Sequence, residues 1–276
     1  MARRSTLPDS LRSAETKLKR ANLHKGIANR EAVRFFNRHP GPTFRVKPEG
    51  DQEPSAAIGS INACRLVVET APPELPASFA ARFGDAIYNY RCVLDHIAWQ
   101  LVLHGSSWPL PDKRAENSVQ FPIYDASGDF TDKMASRLPG VHRDALDFIE
   151  ARHKYVGGKA TNNALLGLAR LVNDDKHRQL HLFSSLFRTL QTNVRFERCE
   201  PLTWDNPPVR PALEKDAVVA HFSYLVTGRN FKVKMNLTPA VEIVDEHRRD
   251  FSEMLEGIRV EVTEILNAPE IHAAVS

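Results

Sequence analysis

Two short runs of the 276-residue chain hold most of the groups able to do chemistry. The first is Gly84-Asp85-Ala86-Ile87-Tyr88-Asn89-Tyr90-Arg91-Cys92-Val93-Leu94-Asp95-His96. The second is Asn173-Asp174-Asp175-Lys176-His177-Arg178. Both set ionisable side chains beside large apolar ones, where an unpaired charge is costly and the groups are expected to pair. Arg91 and His96 suit phosphate chemistry. Guanidinium grips phosphate oxygens through paired donors, and imidazole moves protons near neutral pH. The same residues also suit a purely structural role. Arg91–Asp95 and Asp174–Arg178 have the i,i+4 spacing of helix ion pairs, and the two runs could form a buried network that fixes a helix crossing. His177 and His181, four residues apart, are candidate ligands for a divalent ion with Asp85, His96 or Asp175. They lack the Glu that follows the first His in metalloproteases, so no metal ligand set is assigned.

These residues need helices to position them. Ser10 to about Arg38 has apolar residues at 3-4 spacing (Ala14, Leu18, Ala21, Ala28, Ala32, Phe35), interrupted by Lys25. Phe79–His104 is the strongest helix in the middle of the chain. At about 100° per residue, Tyr90, Val93, Leu94, Ile97 and Leu101 form a core-facing stripe. Asp85, Asn89, Cys92 and His96 share another face. Further helices are expected near Phe130–Leu138, Arg143–His153 and Asn163–Phe187. The last is expected to pack on 79–104 and bring the two polar runs together.

Strands are expected at Phe44–Lys47 and Ile58–Glu69, with a hairpin of Ala217–Thr227 and Asn230–Leu237 about Gly228. In that hairpin Phe231, Val233, Met235 and Leu237 alternate with polar residues. A last helix from Pro239 carries two seven-residue rows: Val241, Arg248, Leu255, Val262 and Val244, Phe251, Ile258, Ile265. The expected class is α+β, a predominantly helical core with a small antiparallel sheet and long terminal helices. One compact domain over 1–276 is expected, with a helical core at about 10–187, a β-rich segment at 190–237 and a C-terminal helix at 239–267.

The run Gly84-Asp85-x-x-x-Asn89-x-Arg91-x-x-Leu94-Asp95-His96, then Phe121-Pro122-Ile123, then Asn173-x-Asp175-Lys176-His177-Arg178, resembles an uncharacterised bacterial family common in actinobacteria. The likeness covers roughly residues 10–185 and implies no established activity. Cys92 stands where that family more usually has serine, and Tyr90 where it has leucine. Arg91-x4-His96 is also similar to the signature of HEPN-type ribonucleases. That resemblance implies metal-independent RNA cleavage, with His96 as acid/base and Arg91 as phosphate clamp. Arg91, His96 and Asp95 are therefore the candidate catalytic residues. Asp85, Asn89, Asn173, Asp175, Lys176, His177 and Arg178 are the candidate binding residues.

Charge supports a polyanionic partner. Residues 1–47 hold 12 Lys+Arg against 3 Asp+Glu, whereas the remainder holds 25 against 31. A basic arm on an acidic body is an electrostatic footprint for RNA or another polyanion, or a face that docks on its own fold. No cofactor is expected. Gly157-Gly158-Lys159 lacks the spacing of a phosphate loop, and there is no Gly-x-Ser-x-Gly elbow. Three scattered cysteines, no signal peptide and no membrane-length apolar run point to the cytoplasm, with a homodimer as a candidate assembly. The alternatives are a non-catalytic interaction or assembly protein and, third, a metal-dependent hydrolase.

Overall fold

The computed structural model describes residues 7–39, 42–50, 52–71, 73–106, 109–177, 183–186, 191–205, 214–230, 232–238, 241–244 and 250–276. The chain is α+β. Its residues group into two compact units. Unit 1 comprises Met1–Arg30, Ala77–Leu180 and Ser252–Ser276, and unit 2 comprises Glu31–Pro76 and His181–Phe251.

Unit 1 is helical. Its elements are α1 (Arg12–Arg38, which runs on into unit 2), α2 (Ala77–Gly105), α3 (Lys113–Ser118), α4 (Ser127–Arg137), α5 (Arg143–Arg152), α6 (Asn163–His177), α7 (Phe251–Leu266) and α8 (Pro269–Ala274). The apolar stripe of α2 is the core: Tyr90, Val93, Leu94, Ile97 and Leu101 are all buried. α2 packs on α6, as the sequence suggests. It ends at Gly105, where a Cβ would lie 2.4 Å from the carbonyl oxygen of Gly140, so only glycine admits that turn.

On α1, Ala14, Leu18, Ala21, Ala28 and Ala32 are buried along one face. Lys25, which interrupts that row in the sequence, forms an ion pair with Glu256 of α7. A second pair ties α5 to α7: the Arg152 guanidinium donates to both carboxylate oxygens of Glu261, at 2.7 and 2.6 Å. Among the described residues, no helix is long and apolar enough to cross a membrane.

The strands, in chain order, are β1 (Thr43–Pro48), β2 (Ile61–Thr70), β3 (Tyr155–Val156), β4 (Lys159–Ala160), β5 (Phe183–Leu186), β6 (Gln191–Glu197), β7 (Cys199–Asp205), β8 (Val218–Val226), β9 (Lys232–Thr238) and β10 (Val241–Val244). Unit 2 is built on an antiparallel sheet in the order β1-β2-β8-β7. Leu66, Val68, Val219 and Ala220 form one cluster on it, and Cys64, Cys199, Phe222, Tyr224 and Val226 another.

Three expectations change. Residues 183–186 are strand β5, so α6 stops at His177 rather than reaching Phe187. Among the described residues the predicted hairpin about Gly228 does not pair with itself: β8 pairs with β2 and β7, and β9 pairs with β6. The C-terminal helix begins at Phe251, because Val241–Val244 form strand β10 against β5. The lower half of each seven-residue row holds, with Phe251, Leu255, Ile258, Val262 and Ile265 fully buried. Phe231 lies outside the described residues, as do the side chains of Met235 and Leu237.

Candidate functional site

The polar residues of α2 separate along its length. At its N-terminal end, Gly84 lets α6 come close: a Cβ there would lie 2.6 Å from Asp175 Oδ1. Burial, then the nearby Asp85 carboxylate, raises the pKa of Asp175 above the usual range. Asp85 also faces His24 of α1, with Oδ2 and Nδ1 3.5 Å apart. Asn89 is 7% exposed, and its side-chain amide donates to the Asp85 carbonyl at 2.7 Å, one turn back on the same helix. This is where the two polar runs meet. Asn173 is exposed on α6. The side chains of Lys176 and His177 lie outside the described residues, as do Arg178 and His181. Among the described residues, no group of three His, Cys, Asp or Glu could hold a metal ion.

Midway along α2, Arg91 and Asp95 lock a neighbouring segment in place. Arg91 donates from Nε to Asp95 Oδ2 at 3.1 Å and from a terminal nitrogen to Oδ1 at 2.8 Å. That nitrogen also donates to the carbonyl of Phe121 at 2.8 Å, and the Phe121 N–H donates back to Asp95 Oδ1 at 3.1 Å. Phe121 is buried, so both of its backbone groups need these partners. The Arg91 side chain is only 14% exposed. The sequence links Arg91-x4-His96 to a phosphate site, whereas these bonds commit the Arg91 fork to the fold.

His96 points elsewhere. Its Nδ1 lies 3.0 Å from Ser13 Oγ, in the first turn of α1. Nε2 has no hydrogen-bond partner among the described residues. Burial, followed by the Lys17 charge and opposed by Asp95, holds its pKa below the ordinary histidine value. Burial thus favours the neutral imidazole, the form that can act as a base.

His96 borders a cavity of about 510 Å³ lined by Ser13, Asp95, His96, Trp99, Gln100, Glu116, Asn117 and Val119. Of the candidate catalytic residues, Asp95 and His96 reach this cavity and Arg91 does not line it. Asp85 is eleven residues from His96, about 16 Å along the helix axis, so the candidate residues do not form one site. The sequence analysis missed Ser13, Gln100, Glu116 and Asn117. Their positions on three separate elements give no local motif that could have flagged them.

Compared with known proteins, the chain matches no family model, no curated protein and no solved structure.

Proposed function

We propose that the protein binds RNA or a comparable polyanion along the exposed face of α1. One observation carries this. With Arg12 at zero and about 100° per residue, Lys19, Arg20 and Arg30 fall within roughly 100° of arc, opposite the buried alanine row. All four cations are exposed. Arg12 pairs with Asp9 and Lys19 with Glu15, while Arg20 and Arg30 form no ion pair among the described residues. The stripe lies on the part of α1 that belongs to unit 1 and runs about 27 Å, long enough to meet several consecutive phosphates.

Cleavage of the bound strand is the sharper form of this proposal, drawn from the HEPN-type signature, with His96 as the acid/base. The Arg91–Asp95–Phe121 bonds favour a second, non-catalytic reading for that half of the signature, in which the pair holds the fold together.

The test is fluorescence polarisation with a labelled single-stranded RNA over a salt series, in excess chelator. Binding should weaken linearly in log salt, with a slope of about −0.7 per phosphate contacted. Arg20→Glu/Arg30→Glu should abolish it, and His96→Ala should leave it unchanged while removing any cleavage. Absence of salt-dependent binding over a broad RNA panel overturns the proposal.

A further inference from the structure

We infer that the cavity beside His96 is a pocket for an unpaired heteroaromatic base, the uncharged part of a nucleotide whose phosphates lie outside on α1. The inference rests on the polyanion reading for its setting but not for its test. At about 510 Å³ the cavity falls within the range of small-molecule sites. Its polar groups come in the right kinds. Gln100 and Asn117 each offer a donor and an acceptor side by side, the fork that matches the edge of a base. Glu116 adds an acceptor for an exocyclic amine. None of these three side chains makes a hydrogen bond among the described residues, so all are available to a ligand. Trp99 and Val119 supply apolar wall.

Charge decides which part of a nucleotide enters. Asp95 and Glu116 both line the cavity, and the Asp95 charge is already matched by Arg91. Burial favours the neutral form of His96. A phosphate inside would face Glu116 with no cation in the lining, so the phosphate belongs outside. Arg12, paired with Asp9, precedes the lining residue Ser13 in the chain and begins the cationic stripe. The cavity therefore shares α1 with the track proposed for the backbone. Base edges and faces are recognised in this way in single-strand binders, by hydrogen bonds to amides and contact with aromatic rings.

The experiment has two arms. In the first, adenosine, guanosine, cytidine and uridine are each titrated into the ¹⁵N-labelled full chain, following the Trp99 indole and the Gln100 and Asn117 side-chain amides. At least one nucleoside should give saturable shifts at these groups. Gln100→Leu/Asn117→Leu should weaken that binding at least tenfold, with the remaining resonances unmoved. No shift up to the solubility limit, or a shift that survives the double variant, overturns the inference whatever α1 does.

The second arm compares RNA with an abasic oligomer of equal length. A preference of roughly tenfold for the RNA, lost in the double variant, places a base of the strand in the pocket. Equal affinity, or no binding of either oligomer, beside a positive first arm identifies the occupant as a free nucleoside or nucleotide. Failure to bind either oligomer counts against the α1 proposal alone.

Discussion

His96 and His153 sit in the same helical unit, and burial lowers the pKa of both, yet their surroundings differ. His153 is fully buried. Its Nδ1 donates to the Ile149 carbonyl at 2.9 Å, and its Nε2 accepts the Tyr124 N–H at 3.4 Å. Phe130 meets its ring in a T-shaped contact and Tyr155 stacks on it, so both nitrogens are used and two aromatic rings pack against it. His96 has one nitrogen on Ser13 and a cavity at its side. A lowered histidine pKa therefore does not by itself mark a reactive site. What distinguishes the two imidazoles is whether anything can reach the ring.

The comparison can be broken, most forcefully by truncation. His153→Ala should cost about 3 kcal/mol, since it opens a cavity and leaves the Ile149 carbonyl and Tyr124 N–H unpaired. His96→Ala should cost less than about 1 kcal/mol. Urea unfolding at pH 7 measures both, and equal losses would erase the distinction. Next in size is Arg91→Ala, about 2 kcal/mol, because Asp95 and the Phe121 carbonyl lose their donor. Arg91→Lys should recover only part of this, since lysine cannot make the two-pronged bond. A smaller loss would release Arg91 for ligand binding.

Acid gives a gentler test. Both folded-state pKa values lie below the unfolded value of about 6.5, so the unfolded chain binds more protons just below that pH. The stability contributed by neutral imidazole is full above about pH 6.5 and is lost as pH falls. The wild-type stability profile should be steeper there than that of His153→Phe, as unfolding at a series of pH values would show. The smallest effect sharpens the comparison. Lys17→Gln should let the His96 pKa rise, because the Lys17 charge helps hold it down, and should leave His153 unmoved in an NMR titration of the ring protons.

The sequence revealed most where one periodicity ruled a long segment. The buried stripe of α2 and the alanine row of α1 follow from spacing alone, because each helix offers one face to one core. Spacing misled where apolar residues kept coming after the element changed. Leu180, Leu182, Phe183 and Leu186 extend the pattern of α6, but Phe183–Leu186 pair with β10 instead. Val241 and Val244 fit a heptad equally well, yet they lie in β10, because a β-branched residue satisfies either context. The site was less readable than the fold. Arg91, Asp95 and His96 are visible as a run on one helix. That Arg91 is bound to Phe121 and His96 to Ser13 depends on partners 30 and 83 residues away, which no local pattern encodes.

One consequence follows from the burial of α7. Leu255, Ile258, Val262 and Ile265 contribute a wall of the unit 1 core, yet that wall is made only after the chain has left unit 1 to build unit 2. A ribosome adding about 5–20 residues per second takes roughly 10–50 s to travel from α1 to the end of α7. Through that interval Leu11, Ala14 and Leu18 have no finished interior to enter. Unit 1 therefore completes its core only after the whole of unit 2 has been synthesised.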